Sequence, residues 1–415
     1  MSEPASKPFS ISKRLVWEAY QKVAANKGAA GVDGQSIAEF EQDLKSNLYK
    51  LWNRMSSGSY FPPPVRAVEI PKKGGTRVLG VPTVADRIAQ TVVCMVMEPT
   101  VEPIFHDDSY GYRPGRSALQ AIAVTRRRCW KDDWVIDMDI KAFFDTIDHD
   151  LLMRAVARHT GLAWVLLYVQ RWLVAPLQHP DGSSTRRDRG SPQGSAISPL
   201  LANLFMHYAF DAWMTRTYPG VTFERYCDDV VVHCRSQTQA ELVRDAVASR
   251  LADCGLELHP VKTRIVYCKD ANRSSSDEHE QFTFLGYTFR PRLARNAKDG
   301  GFFVSFAPAV SRDAVVRIRR TIRGWRLHRR SDLTFAEIVE HINIHVAGWV
   351  AYYGRFHKSA LYAAFHGLNV YLVRWAMRKY KTLKRRPQRA RACLRRIYNR
   401  SPGMFAHWRF GVRPS

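Results

Sequence analysis

Residues 225–234 read RYCDDVVVHC. Asp228 and Asp229 are adjacent carboxylates, and Val230, Val231 and Val232 follow at once. A β-branched run of this kind reads as a buried strand. Two like charges at the mouth of an apolar strand are costly unless a cation sits between them. An isolated Asp-Asp pair is ordinarily a turn with capping roles. Here a second acidic strand lies upstream, WVIDMDI at 134–140, with Val135, Asp137 and Asp139 on one face and Ile136, Met138 and Ile140 on the other. The two strands can bring Asp139, Asp228 and Asp229 to one rim of a sheet. Carboxylate oxygens at that density suit hard divalent cations, above all Mg²⁺. Two such ions roughly 3.5–4 Å apart stabilise the attacking and leaving oxygens of a phosphoryl transfer. Alternation alone does not separate Asp137 from Asp139.

Outward from this core, residues 12–27 and 36–55 read as helices broken by GAAGVDG. A β-hairpin follows, with Lys72, Lys73, Gly74 and Gly75 at its tip, then helices over about 84–101 and 117–130. Asp148 is placed to cap a helix starting at His149. Residues 178–195 form a Gly- and Arg-rich loop, and Ser198-Pro199 open a helix running to about Thr217. A helix over 237–254 and strands near 264–268 and 282–289 come next, a polar loop covers 270–280, and the chain reads helical from Ala309 onward. No repeat or low-complexity tract is visible.

The chain has 415 residues, enough for two or three domains. At 46% hydrophobic it is globular. No apolar run approaches the roughly 18–20 residues of a membrane span, and the first residues lack the apolar core of a signal peptide. A soluble, cytoplasmic protein is expected, with nucleoid association open. Seven scattered cysteines, without CxxC or zinc-finger spacing, read as small buried thiols.

Charge is the strongest compositional signal. The net charge is +25, from 63 Lys and Arg against 38 Asp and Glu. Residues 301–415 hold 24 basic and 4 acidic residues, or +20, and no acid follows Glu340. A one-sign field of this size implies a polyanionic partner. Thirteen aromatics interleave with the bases after residue 340, among them Trp349, Tyr352, Tyr353, Phe356, Trp375 and Trp408. The mixture fits stacking plus phosphate contact, hence nucleic acid, better than an anionic membrane.

IPKKGGTRVLGVPTVADRIAQ, SYGYRPGRS, DMDIKAFFDTIDH, GSPQGSAISPLLANLF, RYCDDVVV, HPVKTRI and FLGYTF occur in this order. Together they resemble the blocks of the reverse transcriptases encoded by bacterial group II introns, over about residues 15–370. The family's usual YADD box is YCDD here, a small apolar exchange at Cys227. The resemblance implies an α+β right-hand polymerase, its fingers and palm built on antiparallel sheet. An all-helical thumb or maturase domain and a basic C-terminal tail would follow. The expected divisions are an N-terminal extension with fingers over 1–132, a palm over 133–300, a thumb/maturase region over 305–375 and a nucleic-acid-binding tail over 376–415.

By the same resemblance the metal ligands are Asp139, Asp228 and Asp229 with two Mg²⁺ ions. Asp137 is then a neighbouring acid, and Asp145 and Asp148 turn and capping residues. Lys72 and Arg77 would hold the triphosphate, Phe144 would exclude a ribose 2′-hydroxyl, with Phe143 facing the core, and Gln193 would meet nucleotide and template. Lys262 is the candidate proton donor to pyrophosphate, with a plain solvated lysine as the alternative. Leu285, Gly286 and Tyr287 would support the primer end. Arg113 and Arg116 are template contacts or structural residues, and Lys384, Arg385, Arg386 and Arg389 are nucleic-acid contacts of the tail. GWVAYYGRF is the clearest piece of the maturase region. Many relatives end in a zinc-supported nuclease; with one cysteine after residue 300, none is expected in these residues, nor target cleavage.

The implied activity is RNA-directed DNA polymerisation, with binding of the intron RNA for splicing and retromobility. The implied partners are intron RNA, an RNA template with DNA primer, dNTPs and a DNA target, with no membrane; the oligomeric state is open. Three alternatives stand beside it: a splicing-only RNA-binding protein, a domesticated polymerase of phage defence or CRISPR loci, and a membrane-surface protein. The acidic triad and GSPQG oppose the first, the maturase-like region the second, and the triad the third.

Overall fold

The computed structural model describes residues 7–72, 75–273, 275–296 and 299–414. Among them the strands are β1 (Val65–Lys72), β2 (Gly75–Val81), β3 (Trp134–Met138), β4 (Leu177–Gln178), β5 (Ser184–Thr185), β6 (Thr222–Tyr226), β7 (Asp229–Cys234), β8 (Arg264–Tyr267), β9 (Phe282–Phe284), β10 (Tyr287–Arg295) and β11 (Phe302–Val310). Three sheets result, ordered β2-β1-β4-β5, β6-β7-β3-β8 and β11-β10-β9. The chain divides into two compact units: residues 1–121, 138–232 and 238–263 form the first, and 122–137, 233–237 and 264–415 the second. The fold is the mixed helix-and-sheet architecture that the polymerase resemblance implies, with all its described strands before residue 311 and helices beyond.

In the first unit β1 and β2 pair antiparallel from Arg66↔Val81 to Lys72↔Gly75, which is the expected hairpin. Its tip residues Lys73 and Gly74, and the side chain of Lys72, lie outside the described residues. Thr83 caps the helix Val84–Val101, its hydroxyl accepting from the Asp86 amide at 3.1 Å. The helix expected over 36–55 is two, Ile37–Gln42 and Leu44–Ser56. Asp43 between them sits at φ −125°, ψ 49°; Asp readily trades helical geometry for local alternatives. Behind the first turn of Val84–Val101, the buried Asp86 carboxylate accepts from Tyr60 Oη at 2.8 Å, Trp172 Nε1 at 2.6 Å and Gln90 Nε2 at 3.0 Å.

The helix opened by Ser198-Pro199 reaches Thr217 as expected, but through a π-helical stretch at His207–Asp211. Such one-residue insertions recur at functional positions, because they turn a side chain that regular spacing would place elsewhere. Here Asp211 is fully buried.

In the second unit β3 and β8 pair from Trp134↔Tyr267 to Asp137↔Arg264. β10 and β11 form a long ribbon from Tyr287↔Val310 to Arg295↔Phe302, which the sequence reading left unassigned beyond residue 289. Ser311 then caps the helix Arg312–Gly324, accepting from Ala314 N at 3.2 Å. Its buried stripe is Ala314, Ile318 and Ile322, at helical spacing. The helices Phe335–Tyr353, Ser359–Lys379 and Pro387–Arg400 share one apolar core with it. The segment read as a basic tail is folded: Leu394, Phe405 and Trp408 belong to that same core. All seven cysteines are free thiols. Among the described residues no helix is long and apolar enough to cross a membrane.

Candidate active site and nucleic-acid interface

Asp139 follows directly on β3, and Asp228 occupies the turn between β6 and β7. Cys227, at φ +63°, shapes that turn with its side chain buried. Asp229 is exposed at the first position of β7. The carboxyl of Asp228 is raised above its ordinary value, first by burial, with Asp139 adding to the rise and Arg77 opposing it. The two acids and the Arg77 guanidinium thus lie within one another's field. The Asp139 carbonyl is held by His259 N at 2.7 Å, and Oδ2 is met by Lys262 Nζ at 2.6 Å. Asp137 stands opposite Arg264 in the β3–β8 register.

The turn is fixed from behind by residues that the sequence reading passed over. Arg225 and Asp211 are both 0% exposed and paired twice, Nε–Oδ1 at 2.7 Å and Nη2–Oδ2 at 2.6 Å. Arg225 Nη1 also donates to the Cys227 carbonyl at 3.0 Å and to Asn203 Oδ1 at 2.9 Å. Asn203 Nδ2 in turn donates to the Gly111 carbonyl at 2.7 Å. A Cβ on Gly111 would stand 2.5 Å from the Cys227 nitrogen, so only glycine lets SYGYRPGRS pass there. A signal existed: Arg225 alternates with Phe223 and Cys227 on the inward face of the strand.

Arg77, on β2, donates Nε to Gln193 Oε1. Gly80 N donates to the Gln193 carbonyl at 2.7 Å, tying the PQG loop to the hairpin. Phe144 is 8% exposed and lines a cavity of about 240 Å³ with Val78, Gly80, Gln193 and Arg187. Phe143 is buried against Phe205, with ring centroids 6.5 Å apart. Arg187, from the Arg-rich loop, donates Nε to the Ala175 carbonyl at 3.0 Å, and burial pushes its guanidinium down to about 10. Asp148 caps its helix as expected, accepting from Leu151 N at 2.8 Å.

Arg113 fits the structural one of its two expected roles. Its side chain is 4% exposed and its fork is consumed inside the fold, by Glu102 Oε1 at 2.8 Å and the carbonyls of His106 and Ser109 at 2.6 and 2.7 Å. It braces a loop and cannot reach a template. Arg116 is half exposed and pairs with Asp107 at 2.8 Å.

In the second unit Leu285 and Gly286, at φ +50° and +79°, form the tight turn between β9 and β10. Tyr287 is fully buried, donates to the Tyr352 carbonyl, and packs its ring 5.5 Å from Phe356. Tyr352 Oη returns a bond to the Leu285 carbonyl at 2.8 Å. GWVAYYGRF therefore clamps the proposed primer-supporting turn. Lys384, Arg385, Arg386 and Arg389 are all exposed. Lys384 and Arg385 line an open, mainly cationic recess with Arg374, Met377, Arg378 and Lys381.

Among the described residues no three His, Cys, Asp or Glu side chains are assembled to hold a metal ion. The donor set nonetheless fits Mg²⁺: its oxygens are hard, and Asp228 is held partly out of water beside a second acid. Mg²⁺ at nucleotide sites is typically held by one or two carboxylates plus substrate phosphates, not by a complete protein cage.

The profile for reverse transcriptase (RNA-dependent DNA polymerase) matches residues 70–289, and that for the group II intron maturase-specific domain matches residues 315–396. The chain belongs to the group II intron-encoded reverse transcriptases and maturases, RNA-directed DNA polymerases that bind RNA and use a template and primer. It is 32% identical over 320 residues to Protein YkfC of Escherichia coli (strain K12), covering 67% of this chain and 81% of that one. It is also 32% identical over 212 residues to the group II intron-encoded protein LtrA of Lactococcus lactis subsp. cremoris, covering 48% of this chain and 33% of LtrA. Among solved structures, telomerase from Candida albicans aligns at a TM-score of 0.47 and 12% identity over 91% of this chain and 68% of that one, too distant to carry an inference. The family as a whole works with divalent metal ions.

Proposed function

We propose that this chain extends a DNA primer on an RNA template by two-Mg²⁺ nucleotidyl transfer at Asp139, Asp228 and Asp229. The observation that carries this reading is the placement of Asp228, half-buried and within the field of both Asp139 and Arg77, on a turn locked by Arg225. When bound, the ions would supply charge stabilisation for the attacking and leaving oxygens. Arg77 and Lys72 bind and orient the triphosphate, and Gln193 positions Arg77. Phe144 closes the cavity on the sugar side and excludes a 2′-hydroxyl. Lys262 compensates Asp139 and holds at Nζ the proton available to the departing pyrophosphate. Leu285, Gly286 and Tyr287 position the primer end. Arg116, with Lys384, Arg385, Arg386 and Arg389, contacts nucleic acid. The bound RNA is the intron, whose splicing and retromobility the chain assists, with dNTPs and a DNA target as further partners.

The test is primer extension with Asp139→Ala and Asp228→Ala. Loss of one metal ligand should lower the rate by at least about 10³-fold, in the range of removing a main electrostatic stabiliser, with RNA affinity within twofold of wild type. Near-normal extension by either variant would end the assignment.

A further inference from the structure

The second unit holds a cavity of about 610 Å³ in which, among the described residues, Arg126 and Arg292 have no carboxylate partner. It is formed by the end of the helix Ala118–Arg128, the segment 270–272, the β10–β11 ribbon and Phe356-His357. Arg126 lies over Trp130 with Cζ 4.5 Å from the ring centroid, and 5.8 Å from that of Phe356. Its Nε is buried without a hydrogen-bond partner, and burial is the sole cause that lowers its pKa. Arg292 donates to two neutral carbonyls, Nε to Ala307 at 3.1 Å and Nη2 to Thr288 at 3.1 Å. Burial, with Arg290 adding repulsion, pushes it down to about 10. Asp270 is the one carboxylate among the described lining residues, and it is bound by Arg273 at 2.5 Å.

Arg273 is the internal standard. It is a half-buried arginine of the same unit, and it is answered by Asp270 and by Asp133 at 3.3 Å. A guanidinium kept partly out of water for packing alone is expected to carry such a partner, since an unpaired buried charge is costly. Among the described residues Arg126 and Arg292 have none, so an external anion is the natural counter-charge. The rest of the wall specifies which anion. Trp130 and Phe303 are 43% and 44% exposed, and Trp130 Nε1 is fixed on the Phe306 carbonyl at 2.9 Å. Rigid, open aromatic faces beside cations suit a base attached to a phosphate. The volume lies within the range of about 300–1,000 Å³ usual for small-molecule sites.

We propose that this cavity binds one nucleotide unit, its phosphate met by Arg126 and Arg292 and its base stacked on Trp130 and Phe303. The unit comes from an unpaired stretch of bound RNA or from a free nucleotide. The strand source rests on the RNA-binding reading above; the cavity is distinct from the acidic triad, which belongs to the first unit.

The experiment uses the full chain with two probes, labelled octauridylate and uridine 5′-monophosphate. The variant Arg126→Gln/Arg292→Gln should bind octauridylate about tenfold more weakly, the scale of losing charge-assisted bonds to one phosphate. Its slope of log affinity against log salt should flatten by about 0.7. Arg126→Lys/Arg292→Lys, which keeps both charges, should keep the slope, and Trp130→Leu should weaken binding several-fold with the slope unchanged. All variants should extend a saturating primer–template at the wild-type rate. A loss confined to octauridylate identifies the strand as the source, and a loss confined to the monophosphate identifies the free nucleotide. Unchanged binding of both probes by the Gln pair, or by Trp130→Leu should the Gln pair not fold, overturns the proposal. Failure of the wild type to bind octauridylate while it binds the monophosphate would sink the strand reading alone.

Discussion

Two sites of buried charge, one in each unit, are handled in opposite ways. In the first, Arg225 and Asp211 are wholly out of water and answer each other twice, and the pair exists to hold a turn that carries acids. In the second, Arg126 and Arg292 are kept half out of water with no acid beside them, and His407 is buried as a neutral base. The first of these sites is an internally answered ion pair behind the acidic turn. The second leaves its positive charge open, and 24 basic against 4 acidic residues after position 300 extend the imbalance to its surface. On the proposed reading, the first unit carries out phosphoryl transfer and the second holds the polyanion on which it is done.

Breaking the closed pair should have the largest effect on stability. Arg225→Leu leaves Asp211 as an uncompensated buried charge, which costs about 3–5 kcal/mol. It also frees the Cys227 carbonyl, so extension should fall further than the lost stability explains. A denaturant titration beside a rate measured well below the midpoint separates the two. Wild-type stability in Arg225→Leu would refute the frame.

The pH response should sharpen the contrast, because one buried group in each unit, Asp86 and His407, titrates with opposite sign. Burial raises Asp86 from 3.8 to about 6. The folded state binds the extra proton between those values, so this contribution is full below about pH 4 and is lost as pH rises towards 6. His407 falls from 6.5 to about 3 by burial, with His366 adding to the fall. There the unfolded chain binds the extra proton, so the contribution is full above about pH 6.5 and is lost as pH falls. The cause is local: His407 Nε2 is used on Asn369 Oδ1 at 2.8 Å, and Nδ1 is buried without a partner, with no acceptor for a second proton. At about 1.4 kcal/mol per unit, each group is worth roughly 3 kcal/mol or more over its window. Hydrogen exchange between pH 7 and 5 should show Ser359–Lys379 losing protection in wild type and much less in His407→Gln. Asp86→Asn should remove the opposite trend around Val84–Val101. Parallel trends in the two units would defeat the comparison.

Salt tests the open side. Neutralising Lys384, Arg385, Arg386 and Arg389 together should flatten the log affinity–log salt slope for RNA by up to about four contacts of roughly 0.7–0.9 each. Extension on a saturating primer–template should persist, since the acidic site belongs to the other unit. An identical slope would take these four off the RNA.

The smallest effect concerns the apolar rim of the acidic site. Phe144→Ala should raise ribonucleotide incorporation about tenfold relative to deoxynucleotide, the lower end of what steric exclusion of one small group yields. An unchanged ratio in a competition assay would move the gate elsewhere.

Much of this was present in the residues themselves. Period-two alternation put Asp137 and Asp139 on one face of a strand, the β-branched run set the Asp228-Asp229 hairpin, and Asp148 marked a helix start, because these are local rules in which neighbours along the chain decide. The order of the blocks gave the family, and the charge tally gave the polyanion. Whatever depended on residues far apart waited for the tertiary structure. Arg113 stood between a template contact and a structural role until Glu102, His106 and Ser109 were seen to consume its donors. Arg225 carried no assignment in the sequence, and its partner Asp211, at the end of the π-helical stretch, was visible only in the fold. The segment after residue 376 looked like a tail until Trp408 was found in the core. Arg126 and Arg292, 166 positions apart, carry no shared signal in the sequence. Composition counts a charge wherever it stands, whereas its desolvation and its partner are set only when the chain folds.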